Sequence, residues 1–209
     1  MVSADVFSTL INVAGRQRML SQRIVLKTLR AALGRAQALS EAEQALQQFK
    51  SAHLLLVQGG KDLPGLFCES IRQAYFGPSK ADERIRAFMA QADAALKDAR
   101  AGGGADAASV AQLEELATPM LVLLNDITQV YEQEARAHAS ELKRHSANLL
   151  GQIVGISREA RIVAFNARVI AARSVSGGPE FAVVAGELSR ITDEIDRLAN
   201  SAIGQPAAA

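Results

Sequence analysis

Three arginines, a glycine and two glutamines crowd into Ile11 to Ile24, INVAGRQRMLSQRI, a stretch that reads as the first amphipathic helix. Apolar residues recur through it at helical spacing: Val6, Leu10, Val13, Leu20 and Ile24. A neighbouring seam runs Ile11, Ala14, Arg18, Ser21, Val25, Thr28 and Ala32, in steps of three and four. Arg18 therefore falls among small and apolar residues, where a solvated arginine is out of place. A buried guanidinium needs a partner, because an unpaired charge out of water is costly. The seam itself offers no carboxylate. The chemistry implied is the capture of a small oxyanion, since a planar guanidinium matches planar oxyanions through paired hydrogen bonds. Gly15, three residues earlier on the same face, lets a ligand or a second backbone approach closely. It does so at a cost of about 1 kcal/mol of helix stability against alanine.

Spacing leaves a plainer alternative open. Arg16, Arg18 and Arg23 can form a solvated face or pair with glutamates of another helix. Arg16 and Arg23 share a face, as a solvent stripe would, and Arg18 does not. No other group of residues suggests chemistry. There is no nucleophile–base pair, no phosphate-cradling glycine loop, and no HExxH or CxxC spacing, so an enzyme is not expected. His138 and His145 lie seven apart, whereas ligation of a metal from one helix favours three or four; they read as packing or a mildly pH-sensitive seam. His53 has no partner in view along the chain. No cofactor and no metal site is expected.

The segment AGRQRMLSQR resembles the signature of the PilJ-type sensor domain, the N-terminal domain of type IV pilus chemotaxis transducers. That domain is in turn similar to the sensor of nitrate/nitrite histidine kinases. The resemblance covers roughly Val6 to Val130, with the specific motif confined to the first helix. It implies an antiparallel four-helix bundle that dimerises through that helix. It also implies an anion, nitrate or nitrite by preference, held on the two-fold between paired motif helices. On that pattern Arg18 is the arginine each subunit contributes and Gly15 the glycine beside it. Ile11 and Gln22 flank the site, and Arg23 matches a second arginine of more structural character.

Composition is consistent with a helical protein. Of 209 residues, 49% are apolar, only 4% aromatic and none is Trp, which favours Leu/Ala/Val helix packing over a β-sandwich. A formal charge of +1 gives no reason to expect nucleic acid or an anionic membrane as partner. The single cysteine, Cys68, excludes an intramolecular disulfide and reads as a small buried hydrophobe in LPGLFCESI. No secretory signal is apparent, and no uncharged apolar run reaches the ~18 residues needed to span a bilayer. The relatives usually carry this sensor outside the cytoplasm between membrane helices. Here the motif begins almost at Met1, which fits either a cytoplasmic version sensing an internal ligand or a fragment of a longer protein; the Met1 start and the tail GQPAAA favour a complete soluble, cytoplasmic chain.

The elements that must position Arg18 follow from punctuation. The first helix should run from about Ser3 to Leu33. A second starts at Ser40, where SEAE spells a capping box, and ends near Gly59-Gly60. Lys61 to Ser79 is a long connection with a short helix around Phe67 to Ala74, and a third main helix runs from Ser79–Asp82 to about Arg100. After the break at Gly102 to Gly104, a long helix begins at Ser109, with Gln112 completing another capping box. Pro119 should kink it or restart it with Thr118 as cap. Beyond, apolar and small residues continue with one stutter from Met120 through Leu142, Leu149, Ile156 and Val163 to Ile170. To Arg173 such a helix would approach ~100 Å. SVSGGP then turns the chain, Pro179 suits the first turn of a last helix, and its seam is Phe181, Val184, Leu188, Ile191, Ile195, Leu198 and Ala202. Two heptad helices joined by a tight turn make an antiparallel hairpin. The fold class is thus all-α: a four-helix bundle over 1–131, a coiled-coil stalk and hairpin over 132–202, and a flexible tail over 203–209.

IVAFNARVIAAR and FAVVAGEL in that hairpin resemble the signalling tip of methyl-accepting chemotaxis proteins. The resemblance implies contacts with a histidine kinase and a coupling protein. The matching positions include Asn166, Arg173, Phe181, Val184 and Glu187. Ile170 stands where that family has a glutamate, Ser174-Val175-Ser176 and Gly178-Pro179-Glu180 replace its turn, and the methylation helices are missing. The expected protein is a dimeric oxyanion sensor passing a change to its hairpin. The alternative is a ligand-free scaffold or adaptor that associates with receptor arrays or a regulator.

Overall fold

The computed structural model describes residues 2–173 and 178–204. Within them the chain forms helices and no strand: α1 (Ala4–Ala32), α2 (Ala36–Gln58), α3 (Glu69–Phe76), α4 (Ala81–Arg100), α5 (Ala108–Glu115), α6 (Ala117–Arg173) and α7 (Gly178–Gly204). Two compact units divide between Ala137 and His138, where the sequence placed the division after Tyr131. The helix α6 contributes to both.

In the first unit α1, α2, α4 and the opening turns of α6 enclose one apolar core, with α3 and α5 packed on it. Leu10, Ala14, Leu20 and Ile24 of α1 meet Leu46, Phe49 and Leu56 of α2, Ile85 and Phe88 of α4, and Leu124, Ile127 and Tyr131 of α6. The α1 helix starts where sequence chemistry places it: the Ser3 Oγ accepts from the Val6 amide at 3.3 Å. It stops at Leu33, followed by Gly34 in the left-handed region at φ 81°. The α2 terminus at Gly59 also follows the sequence, with φ 82° and Gly65 packed against it.

Three expected helix starts are corrected. Ser40 does not cap α2, which begins a turn earlier; its hydroxyl donates back to the Gln37 carbonyl at 3.1 Å. Gly34 reverses the chain so tightly that helix resumes at Ala36, before the capping box is reached. Ser109 does not cap α5 either, because its hydroxyl bonds Asp98 at the end of α4. The long helix is not continuous from Ser109: the chain breaks at Leu116 and restarts at Ala117, not at Thr118. Pro119 then lies in the first turn of α6, where the missing N–H costs nothing.

In the second unit α6 and α7 double back on each other, with the Ser157 hydroxyl donating to the Thr192 carbonyl at 2.9 Å. Their heptads are real, but the line they bury is not the expected seam. Ser157, Ala164 and Ala171 are buried on α6, and Ala185, Thr192 and Ala199 on α7. Each set is spaced by seven, one residue along from the large apolar residues. Ile156, Val163, Ile170, Val184 and Leu198 remain exposed. Two helices can cover only one flank of a broad apolar face, and the small residues allow the closer approach. The tip residues 174–177 and the tail residues 205–209 lie outside the described residues, and with them the expected turn and flexible tail.

Candidate functional site

The geometry around Arg18 begins with α1 packing against α6. Its buried neighbours Ala14 and Ser21 turn their face inward, and the Ser21 hydroxyl donates to the Arg18 carbonyl at 2.8 Å. Arg18 is half-buried. Its Nη1 donates to the Oδ1 of Asn125 on α6 at 2.8 Å. Among the described residues no carboxylate comes within ion-pair reach of it. The guanidinium therefore keeps its positive charge unneutralised in a half-buried place, with donors to spare beyond the one that Asn125 accepts.

An open groove of ≈ 610 Å³ surrounds this pair, lined by Gly15, Arg18, Met19, Gln22, Leu121, Val122 and Asn125. Gln22 spans the same two helices, its amide donating to the Ala117 carbonyl at 3.1 Å. A methyl group at Gly15 would lie 3.6 Å from Arg18 Nη2, an ordinary contact, and would meet nothing else within 4 Å. The guanidinium thus lies back along α1 over Gly15, and the space above the glycine opens to the surface. Met19 is 59% exposed and Val122 55%, so the rim is apolar and uncovered.

Gly15, Arg18 and Gln22 are brought together as the motif suggests, and two other candidates are not. Ile11 packs against the core rather than lining the groove. Arg23 is exposed and turns toward α2, where the Lys27 hydrogen bond and charge, with a smaller contribution from the charge of Arg23, hold Glu41 below the usual carboxylate range. A residue at 23 stands five positions from Arg18, on a different face of the helix. Asn125 was not expected, and nothing local in LVLLNDI marks it beyond a polar side chain beside the Leu124–Ile127 core line. Asn166, Arg173, Phe181, Val184 and Glu187 are all exposed on the hairpin, and Glu187 pairs with Arg190 at 2.7 Å.

A second polar cluster lies inside the bundle. His53, expected to stand alone, is buried on α2 with its Nε2 2.8 Å from Asp82 Oδ1. Arg86 Nε donates to the other carboxylate oxygen at 2.7 Å. Burial pushes His53 below its ordinary pKa, against the raising effect of the Asp82 hydrogen bond and charge. Burial acts upward on Asp82, but the hydrogen bonds and charges of Arg86 and His53 together outweigh it and leave the carboxyl low. The neutral imidazole consequently donates from Nε2, since an ionised carboxylate can only accept. Its Nδ1 is buried without a partner. The Tyr75 ring lies tilted against it, centroids 6.0 Å apart, with its own phenol pushed well up by burial, and burial pushes Tyr131 up to about 12. These groups face the core and no groove, which makes them structural. Cys68 is half-buried at the N-cap of α3, not fully buried as expected, and burial raises its thiol pKa.

The family model of the PilJ domain, described as type IV pili methyl-accepting chemotaxis transducer N-term, matches residues 3–109, just over half of the chain. No curated protein and no solved structure matches. No helix of the described residues is long and apolar enough to cross a membrane.

Proposed function

The chain belongs to the PilJ family of chemotaxis transducer N-terminal domains, a signalling family, and we propose that it is a dimeric sensor of a small oxyanion. Nitrate or nitrite is the favoured ligand, taken between the first helices of two subunits. The observation that carries this reading is Arg18: a half-buried guanidinium whose side-chain partner is a neutral amide, in a groove with an apolar rim. A carboxylate partner would already have neutralised it. A neutral partner leaves the charge available to an anion.

Dimerisation through α1 is supported by a stripe outside the core. Met19, Leu26 and Leu33 are exposed and seven apart, and Gly15 and Gln22 extend them in steps of three and four. That is the pattern of a helix that packs against a second helix. Two Arg18 guanidiniums meeting there repel each other until an anion sits between them, so binding stabilises one helix spacing over another. The exposed large residues of the hairpin, Ile156, Val163, Ile170, Val184 and Leu198, fit association with the same second subunit. The hairpin is the element that a partner such as a chemotaxis kinase or coupling protein would read.

The test is a thermal-shift titration of the wild type and Arg18→Ala with nitrate, nitrite and chloride at matched ionic strength. Ligand at a hundred times its Kd stabilises by about 2.7 kcal/mol, and for a protein of this size the expected rise is about 5–10 °C. The rise should saturate with one oxyanion and vanish in Arg18→Ala. No selective rise in either protein would replace this reading with that of a ligand-free scaffold, which the uncovered apolar face of the hairpin also favours.

A further inference from the structure

The Arg18–Asn125 pair carries one inference beyond the anion site, and it rests on that proposed reading. A guanidinium has only donors, so the Asn125 carboxamide must present its oxygen to Arg18 Nη1, as it does at 2.8 Å. Its Nδ2, with two N–H groups, then occupies the other edge of the planar amide, free of the Arg18 bond that Oδ1 accepts. Asn125 is half-buried and lines the same groove as Gly15 and Arg18. We propose that Asn125 is a specificity and positioning residue of the site: it holds the Arg18 guanidinium over Gly15 and gives the anion a second, neutral donor from α6.

Two consequences follow from the chemistry. The first concerns ligand class. Each subunit offers one formal charge and one neutral amide, set among Met19, Leu121 and Val122. The hydration lost by a dianion grows with the square of its charge, while its attraction to the two facing guanidiniums only doubles, so beside such apolar side chains a monovalent oxyanion such as nitrate is desolvated far more cheaply. The site therefore selects monovalent oxyanions over sulfate and phosphate. The second concerns transmission. Arg18 stands on the motif helix and Asn125 on α6, the helix that continues into the second unit. An anion held by both ties α1 to α6 directly, so ligand occupancy is felt by the helix that leads onward.

Asn125→Asp is the decisive variant. It nearly preserves shape but sets a carboxylate where the amide oxygen was, forming an ion pair with Arg18 that neutralises the site and repels anions. Asn125→Leu removes both acceptor and donor. Binding of sodium nitrate, with sodium sulfate at equal ionic strength as comparison, is followed by calorimetry and thermal shift. In the wild type nitrate should bind at least tenfold more tightly than sulfate. Asn125→Asp should lose about a hundredfold of nitrate affinity while its ligand-free melting temperature holds or rises, and Asn125→Leu about tenfold. A merely structural role would lower stability and affinity together. Wild-type binding with Asn125→Asp within threefold of it would overturn the assignment of Asn125 alone. Absence of saturable nitrate binding in the wild type would overturn the oxyanion reading and this assignment with it.

Discussion

Replacing His53 with leucine tests how the core of the first unit tolerates its buried polar pair. Leucine approximates the volume of the imidazole but can neither donate nor titrate. Asp82 would keep the Arg86 bond at 2.7 Å and lose the His53 bond at 2.8 Å. A buried hydrogen bond to a charged group is worth about 1.5–3 kcal/mol, so at pH 7.5 the variant should melt about 5–10 °C lower. The pH dependence is more diagnostic than the cost. Burial holds His53 below its ordinary pKa in the folded state, so the unfolded chain takes up the proton first as pH falls. The wild type therefore loses stability as pH drops through about 6.5 toward the lower folded value, by at most about 1.4 kcal/mol per pH unit. Asp82, held low, contributes stability above the ordinary carboxylate range and loses it only in stronger acid. The gap between His53→Leu and wild type should thus narrow as the pH is taken from 7.5 to 5.5. Tyrosine fluorescence is the right probe, because the chain has no Trp and both its tyrosines, Tyr75 and Tyr131, are buried in the first unit. Parallel pH profiles for the two proteins would refute the reasoning: His53 would then not be the group that charges on unfolding.

Two glycines in the left-handed region should respond differently to alanine. Gly59→Ala would place its methyl 2.6 Å from the Gly65 amide and 2.8 Å from the Leu63 carbonyl, so the backbone must move and the cost should exceed about 2 kcal/mol by urea melting. Gly102→Ala, also at positive φ but with nothing within 4 Å, should cost only about 1 kcal/mol. In the hairpin, Ser157→Ala removes a buried bond to the Thr192 carbonyl and should cost about 1 kcal/mol, whereas Ile156→Ser, at an exposed position, should leave the monomer's helicity unchanged while weakening self-association in analytical ultracentrifugation.

Much of the architecture is written locally. Ser3 followed by an apolar period specifies the start of α1; Gly34, Gly59 and the glycines after Arg100 specify ends, because a cap or a positive φ is decided within a few residues. The same locality explains the misplaced starts at Ser40, Ser109 and Thr118. A capping box is only an offer, and the hydroxyls of Ser40 and Ser109 found other acceptors once the chain had been turned by its neighbours. The heptads of α6 and α7 were legible as a period but not as a facing, since which flank of a broad apolar stripe is buried depends on how many helices share it. Half of the candidate site belongs to the first kind. Arg18, Gly15 and their displacement from the solvent face follow from 3.6 residues per turn. The other half belongs to the second: Asn125 reaches Arg18 across 107 positions of sequence, and His53 finds Asp82 across 29. Side-chain periodicity tells which residues of a helix turn inward, but not which helix they meet. That pairing is set by the packing of four helices around one core, and only the tertiary structure decides it.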